Sequence, residues 1–204
     1  MPHLRRDTGI VEPMKPNWFI AMPVPEQDWF SALVADVPRG IRRFNAEDLH
    51  VTVAFLGPCG AERARRAWES IAHQRHPPVA ARIGALEPMG PKKRPSAYSL
   101  TFTEGRQALA SIVAWRDQAL AAAEVRPAKW PPLPHVTVAR PPRRAGLAAR
   151  EAGRAWMQKV QPGGARVTID RIALYTWSQD RKERLFYITD QRPLAGLRSK
   201  QGGA

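Results

Sequence analysis

The sequence predicts a duplicated α+β unit with two lobes, and three observations predict it. The pentapeptide His-Val-Thr-Val-Ala occurs at residues 50–54 and again, letter for letter, at 135–139. Each copy sits inside the same run of elements: a helix, the HVTV strand, a helix and a strand pair. The copies stand 85 residues apart, too far for a stacked solenoid repeat, and one copy per lobe fits that distance.

Residues 1–16 are broken by prolines and lack periodicity, so they read as a flexible arm. Trp18 to Met22 is a short apolar run before prolines and reads as a buried strand. Pro25 to Val37 carries Trp29, Phe30, Leu33, Val34 and Val37 at helical spacing and stops at Pro38-Arg39-Gly40. Leu49 to Leu56 alternates as a strand and ends at Gly57-Pro58. Ala61 to Ala72 is a basic helix with Ala64, Trp68 and Ile71 on one side. Two strands follow, Val79 to Leu86 and Ala97 to Thr103, split by the proline-rich basic loop from Pro88 to Pro95. The second half repeats the order: a helix from Gln107 to Ala123, a strand from Pro134 to Ala139, and a helix from Leu147 to Val160 ended by Pro162-Gly163-Gly164. Strands from Arg166 to Trp177 and Arg184 to Asp190 close it around a polar turn. One domain over 17–192 is expected, with lobes of roughly 17–103 and 104–192 that could exchange strands, and a flexible tail over 193–204.

Composition bounds the function. Of 204 residues, 44% are hydrophobic, enough for a sizeable core. No run reaches the roughly eighteen apolar residues of a membrane span, and the two N-terminal arginines have no apolar stretch behind them to make a secretory signal. Cys59 is the one cysteine, so no internal disulfide framework exists; a reducing, cytoplasmic setting is expected. Lys and Arg outnumber Asp and Glu 32 to 18, a formal charge of +14. That balance attracts nucleic acid or nucleotides, or it is simply a solvated basic surface.

On a strand, side chains alternate between faces. His50 and Thr52 therefore share one face and Val51 and Val53 the other; His135 and Thr137 oppose Val136 and Val138 in the same way. The valines are the buried side. Each His and Thr then stand about 6.6 Å apart on an open face. Two imidazoles can divide general-acid and general-base work near neutral pH, and two hydroxyls can donate to phosphoryl oxygens. This set needs no metal. A single HVTV is simply a good strand; two copies at corresponding places in a repeat point to a paired device.

The flanks carry a resemblance. "WFIAMPVP" at 18–25, "LHVTVAFLG" at 49–57, "GPKKRPSAYSLTF" at 90–102 and "PHVTVAR" at 134–140 resemble segments of the 2H phosphoesterase superfamily, in its branch of RNA 2′,3′-cyclic phosphodiesterases, also called 2′-5′ RNA ligases. The likeness spans about residues 17–192. It implies two antiparallel sheets flanking a central cleft, helices on the outside and the motifs facing each other. It further implies a monomer that hydrolyses a 2′,3′-cyclic phosphate, on an RNA end or a nucleotide, to a 2′-phosphate. By this resemblance His50 and His135 are the catalytic acid and base, in an order the sequence does not give, and Thr52 and Thr137 hold the phosphate. No cofactor and no membrane partner is implied. The chain departs from the family pattern at Ala54, where a basic residue is common, in the proline-rich run-in to the second motif, and in "LYTWSQDRKERLFYI" at 174–188. Alternatives are a related enzyme acting on another cyclic or 2′-5′ linked nucleotide or joining RNA ends, and a basic RNA-binding module without catalysis.

The remaining candidates are weaker. Arg140 is a phosphate-binding candidate, but at five residues past His135 it points away from the His/Thr face unless the strand bends, as it could at Pro141-Pro142. Lys92, Lys93 and Arg94 are RNA-contact candidates on a loop, or a solvated charge run. Tyr98 is another contact candidate, and with Phe55, Tyr175 and Trp177 it could stack a base, although strand aromatics are more often core. His73 and His76 lack the acids or cysteines that would complete a zinc site.

Overall fold

The computed structural model describes residues 15–25, 28–91, 94–128, 132–142, 144–160, 162–181 and 183–195. Strand β1 (Trp18–Pro23) is followed by helix α1 (Asp28–Val34), the short strand β2 (Arg42–Arg43) and a 3₁₀ turn at Ala46–Asp48. Then come β3 (His50–Gly57), α2 (Ala61–Ser70), β4 (Val79–Met89) and β5 (Ala97–Glu104). The second half holds α3 (Arg106–Val113), α4 (Arg116–Ala122), β6 (Val136–Arg140), α5 (Leu147–Lys159), β7 (Arg166–Ile169), β8 (Arg171–Trp177) and β9 (Phe186–Pro193). No helix among the described residues is long and apolar enough to cross a membrane.

The α+β class holds, but the strands form one sheet where two were expected. Nine antiparallel strands run in the order β7-β4-β5-β6-β3-β1-β8-β9, with β2 paired to β6. The sheet nearly divides at its middle. β3 and β6, which carry the two HVTVA copies, are joined by the single pair Val51–Val136. Strands β4 and β5, from the first half of the chain, pair with β6 and β7, while β8 and β9 pair beside β1.

The main core lies on the valine side of this seam. Val51, Val53, Val136 and Val138 pack with Ala64 and Trp68 of α2, Leu109 and Ile112 of α3, Leu120 of α4 and Trp156 of α5. Each helix thus buries one apolar stripe against the sheet. The opposite face carries a small cluster of its own, Phe19, Ala21, Ala173 and Tyr175.

Three elements differ from the sequence expectation. The helix expected over 107–123 is two helices, because Trp115 N–H bonds to Ile112 O at 3.0 Å and tightens the turn between them. The strand expected over 166–177 is cut at Asp170, whose carbonyl accepts from Leu194 N–H at 2.7 Å; β7 stays with β4 while β8 crosses to β1. Neither break carries the Gly or Pro that marks a boundary. At the C-terminal end β9 runs on to Pro193, and Leu194 is packed in the core.

Candidate active site

The pentapeptide repeats because its geometry repeats. Between β1 and β3, Ile20 faces Ala54 and Ala21 faces Thr52, so Val53 is an extra residue, a β-bulge. Between β5 and β6, Tyr98 faces Ala139 and Ser99 faces Thr137, so Val138 is extra. Both copies bulge at their fourth letter. The Val and Ala of each bulge are both buried, and the residue that follows changes face. Phe55 and Arg140, which strict alternation would turn away, consequently line the cleft with His50 and Thr52. The bend that Arg140 needs lies at Val138, not at Pro141-Pro142.

Both imidazoles are held in the same way. His50 Nδ1 lies 2.6 Å from Asp48 O, and His135 Nδ1 lies 2.7 Å from Leu133 O, each carbonyl two residues upstream. A carbonyl only accepts, so each Nδ1 carries the proton and donates it. Each Nε2 is left for chemistry. One residue out from the Val51–Val136 pair stand Thr52 and His135 on one side and His50 and Thr137 on the other. This antiparallel register sets each His beside the other copy's Thr.

His50 sits in an aromatic box. Its ring centroid lies 4.9 Å from Phe19, 5.4 Å from Phe186 and 5.6 Å from Tyr175. Burial pushes its pKa down from 6.5 to about 4, aided by the positive charges of Arg140 and His135 and opposed by the bond to the Asp48 carbonyl. Asp48 is itself fully buried. Its carboxylate accepts from Leu185 N–H at 2.9 and 3.0 Å and from Phe186 N–H at 3.0 Å. One residue thus anchors the carbonyl under His50 and fastens the start of β9, which brings Phe186 to the box.

The two threonines are not equivalent. Thr52 is half-buried, faces Ala21 across the ladder and lines the cleft. Thr137 is buried rather than on an open face, and its Oγ1 lies 3.1 Å from Ser99 Oγ. His135 is half-buried and stands across the ladder from Thr52, as Thr137 does from His50, the two residues of the first copy that line the cleft. The cleft has a volume of about 1330 Å³.

Other candidates separate cleanly. Arg94 lines the cleft, and Lys92 and Lys93 lie outside the described residues. Tyr98 is not a substrate contact: it is fully buried, edge-on to Trp156 at 5.8 Å, and it faces away from Thr137 because it alternates with Ser99, the residue paired to Thr137. Tyr175 is also buried, stacked on Phe19 at 4.8 Å, whereas Phe55 and Trp177 do reach the cleft. His76 Nδ1 bonds to Pro77 O at 2.7 Å, and no group of three potential metal ligands occurs among the described residues.

The sequence reading missed Asp48, Ser99, Arg42 and Phe186. Asp48, an acid directly before the Leu-His that opens a motif, is the one whose position carried a signal.

Comparison with known proteins agrees with this geometry. The model of the 2′-5′ RNA ligase superfamily matches residues 29–181. The chain belongs to the 2′-5′ RNA ligase superfamily, the 2H phosphoesterases. Solved structures share the superfamily fold. E. coli LigT complexed with NADP+ is 20% identical, with a TM-score of 0.66 over 90% of this chain and 99% of that one. LigT complexed with 3′-AMP is 19% identical, with a TM-score of 0.67 over 87% and 97%. TT0787 of Thermus thermophilus is 20% identical, with a TM-score of 0.65 over 88% and 98%. No curated protein sequence gives a match. Within this superfamily fold, the curled antiparallel sheet places the two HVTVA strands side by side at its seam.

Proposed function

We propose that this chain hydrolyses 2′,3′-cyclic phosphates, on RNA ends or nucleotides, to 2′-phosphates by paired-histidine catalysis that needs no metal. The observation that carries the reading is the matched pair of imidazoles, each with Nδ1 tied to a carbonyl two residues upstream. Binding alone needs no such pair of fixed tautomers. The nucleotides held by LigT, namely NADP+, 3′-AMP and ATP, support reading the cleft as a nucleotide site.

His50, kept neutral by its box, is the base. Its Nε2 takes a proton from water as the water oxygen bonds to phosphorus. The P–O3′ bond breaks, and His135 Nε2–H delivers a proton to O3′, leaving a 2′-phosphate and a free 3′-hydroxyl. Thr52, Thr137 and Arg140 hold the phosphoryl oxygens while negative charge grows. These charge-assisted contacts strengthen as the transition state forms.

The test offers a nucleoside 2′,3′-cyclic phosphate, an RNA with a cyclic phosphate end and a 2′-5′ linked dinucleotide to the protein in excess chelator. The expected result is 2′-phosphate product from a cyclic phosphate at the unchelated rate. Folded His50→Ala and His135→Ala should each lose about 10²-fold or more in kcat, and the double variant should be little worse than the poorer single. Turnover lost on chelation and restored by zinc, or a wild-type rate from either folded variant, would overturn the reading.

A further inference from the structure

Most arginines of known partner on this protein sit against an acid. Arg63, Arg66, Arg82, Arg116, Arg171 and Arg184 each form an ion pair with a carboxylate. Arg42, Arg94, Arg140, Arg150 and Arg181 do not, among the described residues, and all five line the cleft. Arg42 faces Arg140 directly across the β2–β6 pair. The Arg42 charge also acts on both Arg140 and Arg181, whose pKa values are lowered first by burial and then by that repulsion. No described carboxylate lines the cleft. Asp48, whose charge partly offsets the repulsion at Arg181, is held by the amides of Leu185 and Phe186, and Glu47 pairs with Arg184 at 3.4 Å.

Three like charges gathered this way repel one another and favour a bound anion. Aromatic surfaces support two of them. Arg140 lies 5.5 Å from the Phe44 ring centroid, and Arg181 lies 4.4 Å from that of Trp177. A guanidinium placed over a ring is pre-aligned and still presents its edge to phosphate. The reacting phosphate has Arg140, whose charge reaches His50. Of the three arginines that act on one another, Arg42 and Arg181 are left over.

We infer that Arg42 and Arg181 form a second phosphate subsite beside the reaction centre, which takes the phosphate on the 5′ oxygen of the terminal nucleotide. The inference rests on the phosphodiesterase reading for the ligand's identity. A nucleotide that ends in a 2′,3′-cyclic phosphate has its 5′ oxygen as the remaining place for a backbone phosphate.

The test measures equilibrium binding of unreactive ligands, so its outcome does not depend on turnover. A nucleoside 2′-phosphate is compared with the same nucleoside 2′,5′-bisphosphate, and with a dinucleotide bearing a 2′-phosphate end. The added phosphate should tighten binding about tenfold or more, as a charge-assisted contact does. In Arg42→Ala/Arg181→Ala the ratio should fall to about one, and Arg42→Lys/Arg181→Lys should keep part of it. Both arginines are exposed, so these changes leave the core intact. A gain in the dinucleotide arm assigns the subsite to an internucleotide phosphate; a gain with the bisphosphate alone assigns it to a terminal 5′-phosphate. Equal affinities in the wild type, or a ratio that survives the double alanine change, would overturn the inference. Failure of the phosphodiesterase reading would show separately, as absent turnover.

Discussion

In the proposed reaction His50 is a base made by its surroundings. Its three aromatic neighbours remove water, and the imidazolium form is disfavoured down to a pKa of about 4. The acid limb of kcat/KM should therefore fall well below the 6.5 of a free imidazole, toward 4, and a limb near 6.5 would remove His50 as the base. The same shift acts on stability. Between pH 6.5 and about 4 the unfolded chain binds a proton at His50 that the native chain does not, so native stability falls as pH falls through that window. Denaturant titrations of His50→Gln should show a weaker pH dependence there than the wild type. Ser99 sets up a second prediction at this scale. It is fully buried, and the one side-chain hydrogen bond of its hydroxyl among the described residues is to Thr137 Oγ1 at 3.1 Å. Either hydroxyl can donate in this pair; the arrangement in which Ser99 donates leaves the Thr137 proton free for a phosphoryl oxygen, and a cycle with Thr137→Val tests that arrangement. Ser99→Ala should lower kcat/KM about fivefold, the size of one hydrogen bond. It should do nothing further in a Thr137→Val background, whereas it should still cost as much beside Thr52→Ala, since Thr52 faces Ala21. Full additivity with Thr137→Val in that cycle would refute the orienting role.

At the scale of elements, the sequence showed what repeats and hid what merely bends. The alternation in HVTV placed the valines inward, because a strand with one buried face writes that face into every second letter. It could not show that Val53 and Val138 are bulged, since a bulge is a relation between two strands and neither copy carries a Gly. Arg140 accordingly read as pointing away. The α3–α4 and β7–β8 breaks escaped for a similar reason: Trp115 and Asp170 bend the chain through backbone hydrogen bonds rather than through a Gly or Pro. Ser99 and Phe186 were illegible as site residues because contacts over long sequence separations give them their roles, and Asp48 showed only its place before the motif, not its bonds to Leu185 and Phe186. Tyr98 was legible as an aromatic but not as core. What buries it is α5, where Gly153 lets the helix settle over the ring; a Cβ there would overlap the Tyr98 hydroxyl. Gly153→Ala should thus destabilise the protein by about 1–3 kcal/mol as an overpacked contact, despite alanine's better helix propensity. Thermal or urea unfolding reads this directly, and a neutral or stabilising result would mean that α5 does not pack this closely.

Across the whole molecule, the +14 charge is not spread without pattern. Arginines on the helices and outer strands are partly neutralised, as in the Arg66–Glu62 and Arg82–Glu104 pairs. Inside the cleft Arg42, Arg94, Arg140, Arg150 and Arg181 share one cavity with no described carboxylate on its wall. Such a field focuses in a cleft with low-dielectric walls and raises the local concentration of anions. The predicted consequence is a salt dependence that lies in binding and not in chemistry. For a single-stranded RNA end that engages two phosphates, a slope of roughly −0.7 per phosphate makes KM rise about 25-fold per tenfold increase in salt. The bond-breaking step should be spared, because in the proposed mechanism Nε2 of each histidine acts at contact distance in a partly buried site, where added ions screen little. Initial rates on one oligonucleotide across a salt series decide it: KM climbing with kcat steady is expected. A kcat that falls in parallel, with KM flat, would place the salt effect in the catalytic step and remove the cleft arginines as the source of substrate attraction.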